Sequence, residues 1–132
     1  MMSLTNKKIL LGITGGIAAY KTPELVRALI KQGAQVQVVM TEAATHFVTE
    51  QTLQAVSGNS VFISQWDSRI SNGMPHIELT RDADAILIAP ASADFLAKLS
   101  LGIANDLLSS LCLAKGHEKN GQLIDCPLLV SP

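Results

Sequence analysis

With 132 residues and a formal net charge of −1, the chain has room for one domain with a real hydrophobic core. Hydrophobic residues at 48% and charged residues at 16% exclude a disordered chain. Ten Lys and Arg against eleven Asp and Glu leave no basic field for nucleic acid, 4% aromatics leave little for base stacking, and two cysteines build neither a disulfide scaffold nor a metal knuckle.

The opening residues show no signal-peptide pattern, and no run of eighteen or more apolar residues predicts a membrane span. The expected location is the cytoplasm, with Cys112 and Cys126 reduced. Lys8 to Ile13 is a continuous apolar run, which suits a strand buried on both faces of a parallel sheet. Gly15-Gly16 predicts the turn, and a helical stretch follows to about Gln32. Its apolar stripe is Leu25, Val26, Leu29 and Ile30, and Gly33 stands where a C-cap belongs. Thr22-Pro23-Glu24 fits either a cap with proline at the first helical position or a bend in a helix begun near Gly16. Gln35 to Met40 predicts the second strand, with Thr41 to Thr45 as its exit and the start of a short helix. Thr49 to Val56 predicts another helix, ended by Ser57-Gly58. Asn59 to Pro75 is the least regular stretch, with a brief apolar run at Val61 to Ile63. Ala85 to Ala89 is the clearest strand and stops at Pro90. Helical patterns follow at Ala93–Leu101 and Asp106–Ala114, then a polar loop from Lys115 to Gly121, then a last strand at Leu128–Val130.

Such alternation predicts an α/β fold, Rossmann-like, with a mostly parallel sheet and helices on both faces. Ligands in these folds bind at the carboxyl ends of the strands. The residues of interest therefore follow Ile13, Met40, Ala89 and Val130.

After the first strand, the small residues in the segment from Gly12 to Lys21 would let backbone N–H groups approach a phosphate at a helix start. The spacing is neither Gly-x-Gly-x-x-Gly nor a Gly-Lys-Ser/Thr loop, and a plain tight turn is the alternative. Thr41 could cap the next helix or bond a phosphate. Ser92 fits an N-cap with Asp94 in the first turn, or the polar edge of a slot for a flat ring. His76 can move protons near neutral pH, although lone histidines such as His46 and His117 are usually bland. No metal-ligand spacing and no Gly-x-Ser-x-Gly elbow occurs. Cys112 falls on an apolar helix face, and Cys126 precedes Pro127 without an identified activating partner.

Five segments in order carry a resemblance: Gly15-Gly-Ile-Ala-Ala-Tyr-Lys21, Met40-Thr-Glu-Ala-Ala44, His76-Ile-Glu-Leu79, Ala89-Pro-Ala-Ser-Ala-Asp94 and Gly102-Ile-Ala-Asn-Asp-Leu107. Together, over nearly the whole chain, they resemble the homo-oligomeric flavin-containing cysteine decarboxylases, in particular the phosphopantothenoylcysteine decarboxylase branch of bacterial coenzyme A biosynthesis. The resemblance implies FMN as cofactor, a small-molecule substrate, no nucleic acid or membrane partner, and self-association as a trimer or higher with sites where subunits meet. It implies that Gly16, Ile17 and Ala18 line the flavin, that Thr41 lies near its phosphate, and that Ser92, Ala93, Asp94 and Phe95 match the family's Ala-Ser-Ala-Asn-Thr motif. Asp94 and Phe95 replace that motif's Asn and Thr. His76 matches the active-site histidine and Asn105 a position near the site.

The implied chemistry is decarboxylation of 4′-phosphopantothenoylcysteine to 4′-phosphopantetheine. FMN oxidises the cysteine thiol side, carbon dioxide leaves, and the hydride returns without net redox change. The family continues with Pro-x-Met-Asn-x-x-Met-Trp and a flap cysteine, whereas this chain stops at Pro132. The implied domain is thus residues 1–132 of an FMN-binding decarboxylase truncated at its C-terminal end, from a longer protein that also carries a phosphopantothenate–cysteine ligase. Alternatives are a flavin decarboxylase acting on a peptide C-terminal cysteine, a non-catalytic regulatory protein on the flavin fold, and a flavin-prenylating relative.

Overall fold

The computed structural model describes residues 3–69, 79–80, 83–114, 117–119, 122–124 and 126–131. Strand β1 (Lys8–Ile13) is followed by a 3₁₀ turn, Ile17–Lys21, and helix α1 (Thr22–Lys31). Strand β2 (Gln35–Met40) leads through a second 3₁₀ turn, Ala43–His46, to α2 (Glu50–Ser57). Strand β3 (Ala85–Ile88) precedes α3 (Ala93–Leu101) and α4 (Leu107–Leu113). Three short strands complete the described chain: β4 (His117–Lys119), β5 (Gln122–Ile124) and β6 (Leu128–Val130).

The main sheet runs β2-β1-β3-β6 with every pairing parallel. Phe62 adds a single parallel bridge to Val39 outside β2, so the irregular stretch touches the sheet through its apolar run. Side chains alternate with the period of two that a strand imposes. Ile9, Leu11 and Ile13 of β1 join Val36, Val38 and Met40 of β2 in a core with Val26 of α1 and Leu53 of α2. Leu10 and Val39 point the other way and join Ile86 and Ile88 in a core with Phe95 of α3 and Leu108 and Leu111 of α4. Each such side chain removed from water contributes about 1.5–3 kcal/mol, so both faces are anchored. Gly12 lies on the second face, where a Cβ would stand 2.5 Å from Leu108 Cδ1 and 2.7 Å from Ile88 Cδ1. Its missing side chain is what lets α4 approach β1.

The choice left open at Thr22-Pro23-Glu24 resolves into both readings. The helical stretch begins as the 3₁₀ turn and becomes α-helix at Thr22, with Pro23 in the first turn where its missing N–H costs nothing. Gly33 lies one residue past the Gln32 C-cap at φ 94°, a region that disfavours side chains. Helix α2 has Thr49 as N-cap, its hydroxyl accepting from Thr52 N–H at 3.2 Å. Asp106 caps α4 in a reciprocal box with Ser109. One expectation is corrected. The stretch from Lys115 to Gly121 is not all loop, because β4 pairs antiparallel with β5. Asn120-Gly121 between them is a two-residue hairpin sequence, a signal hidden by the segment's polarity.

Candidate functional site at the carboxyl ends of β1, β2 and β3

The chain leaves β1 for β2 on one side and reaches β3 on the other. Adjacent crossovers therefore diverge between β1 and β3, which is where an open α/β sheet forms its ligand crevice. Three loops meet there, beginning at Thr14, Thr41 and Ala89. The β1 loop packs tightly on the β2 loop, since a Cβ at Gly15 would stand 2.7 Å from Ala43 Cβ and 3.2 Å from its carbonyl carbon. Towards β3 the same loop is open, and a Cβ at Gly16 would meet only Pro90 Cγ at 4.0 Å. The N–H groups of Gly16, Ile17 and Ala18 find no acceptor among the described residues. Helix starts leave such donors unpaired, and an anionic group satisfies them.

The β3 loop is shaped by a cis Ala89–Pro90 peptide. Ser92 caps α3, its Oγ accepting from Phe95 N–H at 3.1 Å. Both of its readings survive, because a capping hydroxyl keeps its own proton to donate. Ala93 and Asp94 are exposed in the first turn of α3, and Asp94 stands 3.7 Å from Lys98. Phe95 differs from its neighbours: its ring is 1% exposed in the core, so it faces the crevice with backbone only. Ala18, Lys21, Thr22, Leu25, Ala89 and Pro90 border a cavity of about 130 Å³ on the α1 side.

Thr41 ends β2. Its N–H donates to Ile13 O at 2.9 Å, and its hydroxyl accepts from Ala44 N–H at 3.3 Å. The hydroxyl also donates to Ile13 O at 3.4 Å, so it closes the turn that leaves β2. On the α4 side Thr41 shares a cavity of about 210 Å³ with Asn105, Asp106, Ser64 and Trp66. Asn105 is exposed, and Asp106 beside it is fixed by Ser109 N–H at 2.8 Å and Lys98 Nζ at 3.3 Å. Burial alone would raise the Asp106 pKa, but the Ser109 bonds and the Lys98 charge outweigh it and hold the carboxyl below its ordinary value.

The structure therefore brings Gly16 and Ala18 beside Ala89 and Pro90, in the loop that leads to Ser92, with Thr41 and Asn105 together on a separate cavity. His76 lies outside the described residues. No cluster of metal-ligating side chains occurs among the described residues, and no described helix is long and apolar enough to cross a membrane. Sequence reasoning missed Thr14. It is 1% exposed, and its hydroxyl donates to Pro90 O at 2.6 Å while accepting from Ser92 N–H at 2.7 Å. Those partners lie 76 and 78 residues away, so no local pattern could have announced them.

Residues 2–129 match the flavoprotein family model. The chain belongs to the flavoprotein family. Open backbone donors beside a small-residue slot fit a phosphate-bearing flat ring, so this flavoprotein's own geometry agrees with the match. Over 113 residues the flavoprotein is 61% identical to the coenzyme A biosynthesis bifunctional protein CoaBC of Haemophilus influenzae, covering 86% of this chain and 28% of that one. It thus spans less than a third of the length of that curated relative. Among solved structures it resembles the FMN-dependent cysteine decarboxylase SpaF, with a TM-score of 0.82 and 28% identity over 97% of this chain and 69% of that one. A cysteine-to-serine mutant of PPC decarboxylase gives a TM-score of 0.73 and 29% identity over 96% and 70%.

Proposed function

We propose that this flavoprotein is the FMN-binding decarboxylase part of a CoaBC-type bifunctional protein and converts 4′-phosphopantothenoylcysteine to 4′-phosphopantetheine. The observation that carries the reading is the crevice between Gly16–Ala18 and Ser92–Asp94 in a chain 61% identical to a CoaBC protein. FMN, when bound, supplies the reversible electron sink that lets an otherwise unactivated carboxylate leave.

The chain's residues divide the remaining work. Gly16, Ile17 and Ala18 hold the cofactor with backbone groups, and Thr41 offers a hydroxyl near its phosphate. Ser92, Ala93 and Asp94 form the opposite wall, with the backbone of Phe95 beneath it. His76 orients the departing carboxylate or moves a proton at its ring nitrogen, and Asn105 hydrogen-bonds the substrate. Self-association as a trimer or higher completes each site. The exposure of Ile17 at 78% and Tyr20 at 59% beside the crevice supports that, because large apolar side chains gain by being covered. We place the protein in the cytoplasm, in keeping with the coenzyme A reading.

A peptide C-terminal cysteine is the second substrate reading, since the fold is shared with the FMN-dependent cysteine decarboxylase SpaF at a TM-score of 0.82. A backbone shared across related enzymes discriminates substrates less than side chains do, so the 61% identity outweighs it. The test combines a visible spectrum after FMN loading with mass-spectrometric detection of carbon dioxide loss from both substrates in the full-length protein. Retained flavin bands and turnover of the pantothenoyl substrate are expected. Exclusive turnover of the peptide would reassign the substrate. His76→Asn is expected to keep FMN and lose about 10²–10⁴-fold in rate, and wild-type turnover by that variant would remove His76 from the reaction.

A further inference from the structure

We infer that Thr14 is a positioning residue whose hydroxyl sets the width of the cofactor crevice by locking its two walls to each other. The inference rests on the FMN reading above. Buried threonine hydroxyls usually bond to a nearby carbonyl within their own turn. Thr22 does this: it is 3% exposed, and its hydroxyl donates to Ala19 O at 2.7 Å, three residues back. Thr14 does the opposite. Its hydroxyl spends its donor on Pro90 and an acceptor site on Ser92, both in the loop after β3. Its own N–H also donates to Pro90 O, at 3.2 Å.

These bonds join the first residue after β1 to the turn that carries the opposite wall. Ser92 is held twice over, by Thr14 at its N–H and by Phe95 N–H at its hydroxyl. Gly15 and Gly16 follow Thr14 directly, so whatever fixes Thr14 against Pro90 fixes the donors of Gly16–Ala18 against Ser92–Asp94. The sheet register cannot do this alone. The last paired residues of β1 and β3 are Gly12 and Ile88, and both loops begin beyond them. The Ala89 N–H bond to Gly12 O, at 2.9 Å, ends the ladder one step short of the crevice. Thr14 is the link that continues it.

Replacing Thr14 by valine keeps the shape, removes donor and acceptor together, and leaves Ser92 N–H without its partner. The test measures FMN affinity by flavin fluorescence quenching in the full chain, with the melting temperature of each cofactor-free variant recorded alongside. Thr14→Val is expected to bind FMN roughly tenfold more weakly. Thr14→Ser, which keeps the hydroxyl, is expected to restore affinity to within about twofold, and Thr14→Cys, a poorer hydrogen-bonding group, to fall between. Ile9→Val, in the core at the amino end of β1, serves as a control that lowers melting temperature and leaves FMN affinity unchanged.

Wild-type affinity in both Thr14→Val and Thr14→Cys would overturn the inference. So would a loss of affinity in Ile9→Val in proportion to its melting temperature, since stability alone would then explain the effect. Wild-type protein that takes up no FMN would overturn the cofactor reading instead.

Discussion

The two ends of the sheet use polar groups in opposite ways. At the amino end a cavity of about 230 Å³, the largest of those described, is bordered by Lys8, Gln37, Asn59 and Ala83. Its polar groups serve the fold itself. Gln37 donates to Ser60 O at 2.7 Å, Asn59 donates to Val36 O at 2.8 Å, and Lys8 N–H donates to the Asp84 carboxylate at 2.8 Å. The carboxyl end has smaller cavities but leaves the N–H groups of Gly16, Ile17 and Ala18 without an acceptor among the described residues. Size therefore does not mark the site. A cavity whose polar groups bond one another is structure, and a crevice with oriented, unspent donors is prepared for a ligand.

The largest test of this contrast is Phe95→Ala. Phe95 supports the carboxyl end from within the core, and its loss is expected to cost about 3–5 kcal/mol in denaturant unfolding. A loss below about 1 kcal/mol would mean that the β3 loop stands without that anchor. Gly15→Ala comes next. Its Cβ would press on Ala43, and separating the two loops is expected to cost about 1–3 kcal/mol and weaken FMN binding in fluorescence titration. Unchanged binding would show that the β1 and β2 loops need not touch.

Asn59→Ala probes the other end. It removes the bond to Val36 O and is expected to cost about 1 kcal/mol, with FMN affinity unaltered. A loss of affinity would erase the distinction between the ends.

The smallest effect belongs to Asp106→Asn, which can still cap α4 but cannot pair with Lys98. The Asp106 carboxyl is held below its ordinary value of 3.8, so its contribution is present above that pH and fades as pH falls through the lower folded-state value. Wild type should be more stable than Asp106→Asn near neutrality by roughly a few tenths of a kcal/mol, and the difference should shrink only as pH falls below 3.8 towards the lower folded-state value. Parallel curves across that range would show that Lys98 contributes nothing through Asp106.

Much of the fold was legible because its signals are local. Continuous apolar runs marked β1, β3 and β6, a valine-rich run with two glutamines marked β2, and Gly58 and Gly102 close α2 and α3 in left-handed conformations next to the last helical residues. The β4–β5 hairpin was hidden because short polar strands carry no apolar alternation. In the site, Ser92 and Thr41 were legible as residues beside turns. That Phe95 turns inward was not, since its neighbours in sequence are all exposed or half-exposed. Thr14 was invisible for a different reason: a hydrogen bond spanning 78 residues leaves no trace in a window of ten.

That span also sets an order of events during synthesis. β1 can pair with β2 soon after both leave the ribosome, but its other edge waits for β3. Residues are added at about 5–20 per second, so Thr14 precedes its partner Ser92 by on the order of ten seconds. Throughout that interval the nascent chain presents one paired edge and one bare edge of the same strand, and the cofactor has half a crevice to meet. Flavin can act as a ligand that stabilises this fold only after the β3 turn has emerged, so cofactor capture waits on that turn.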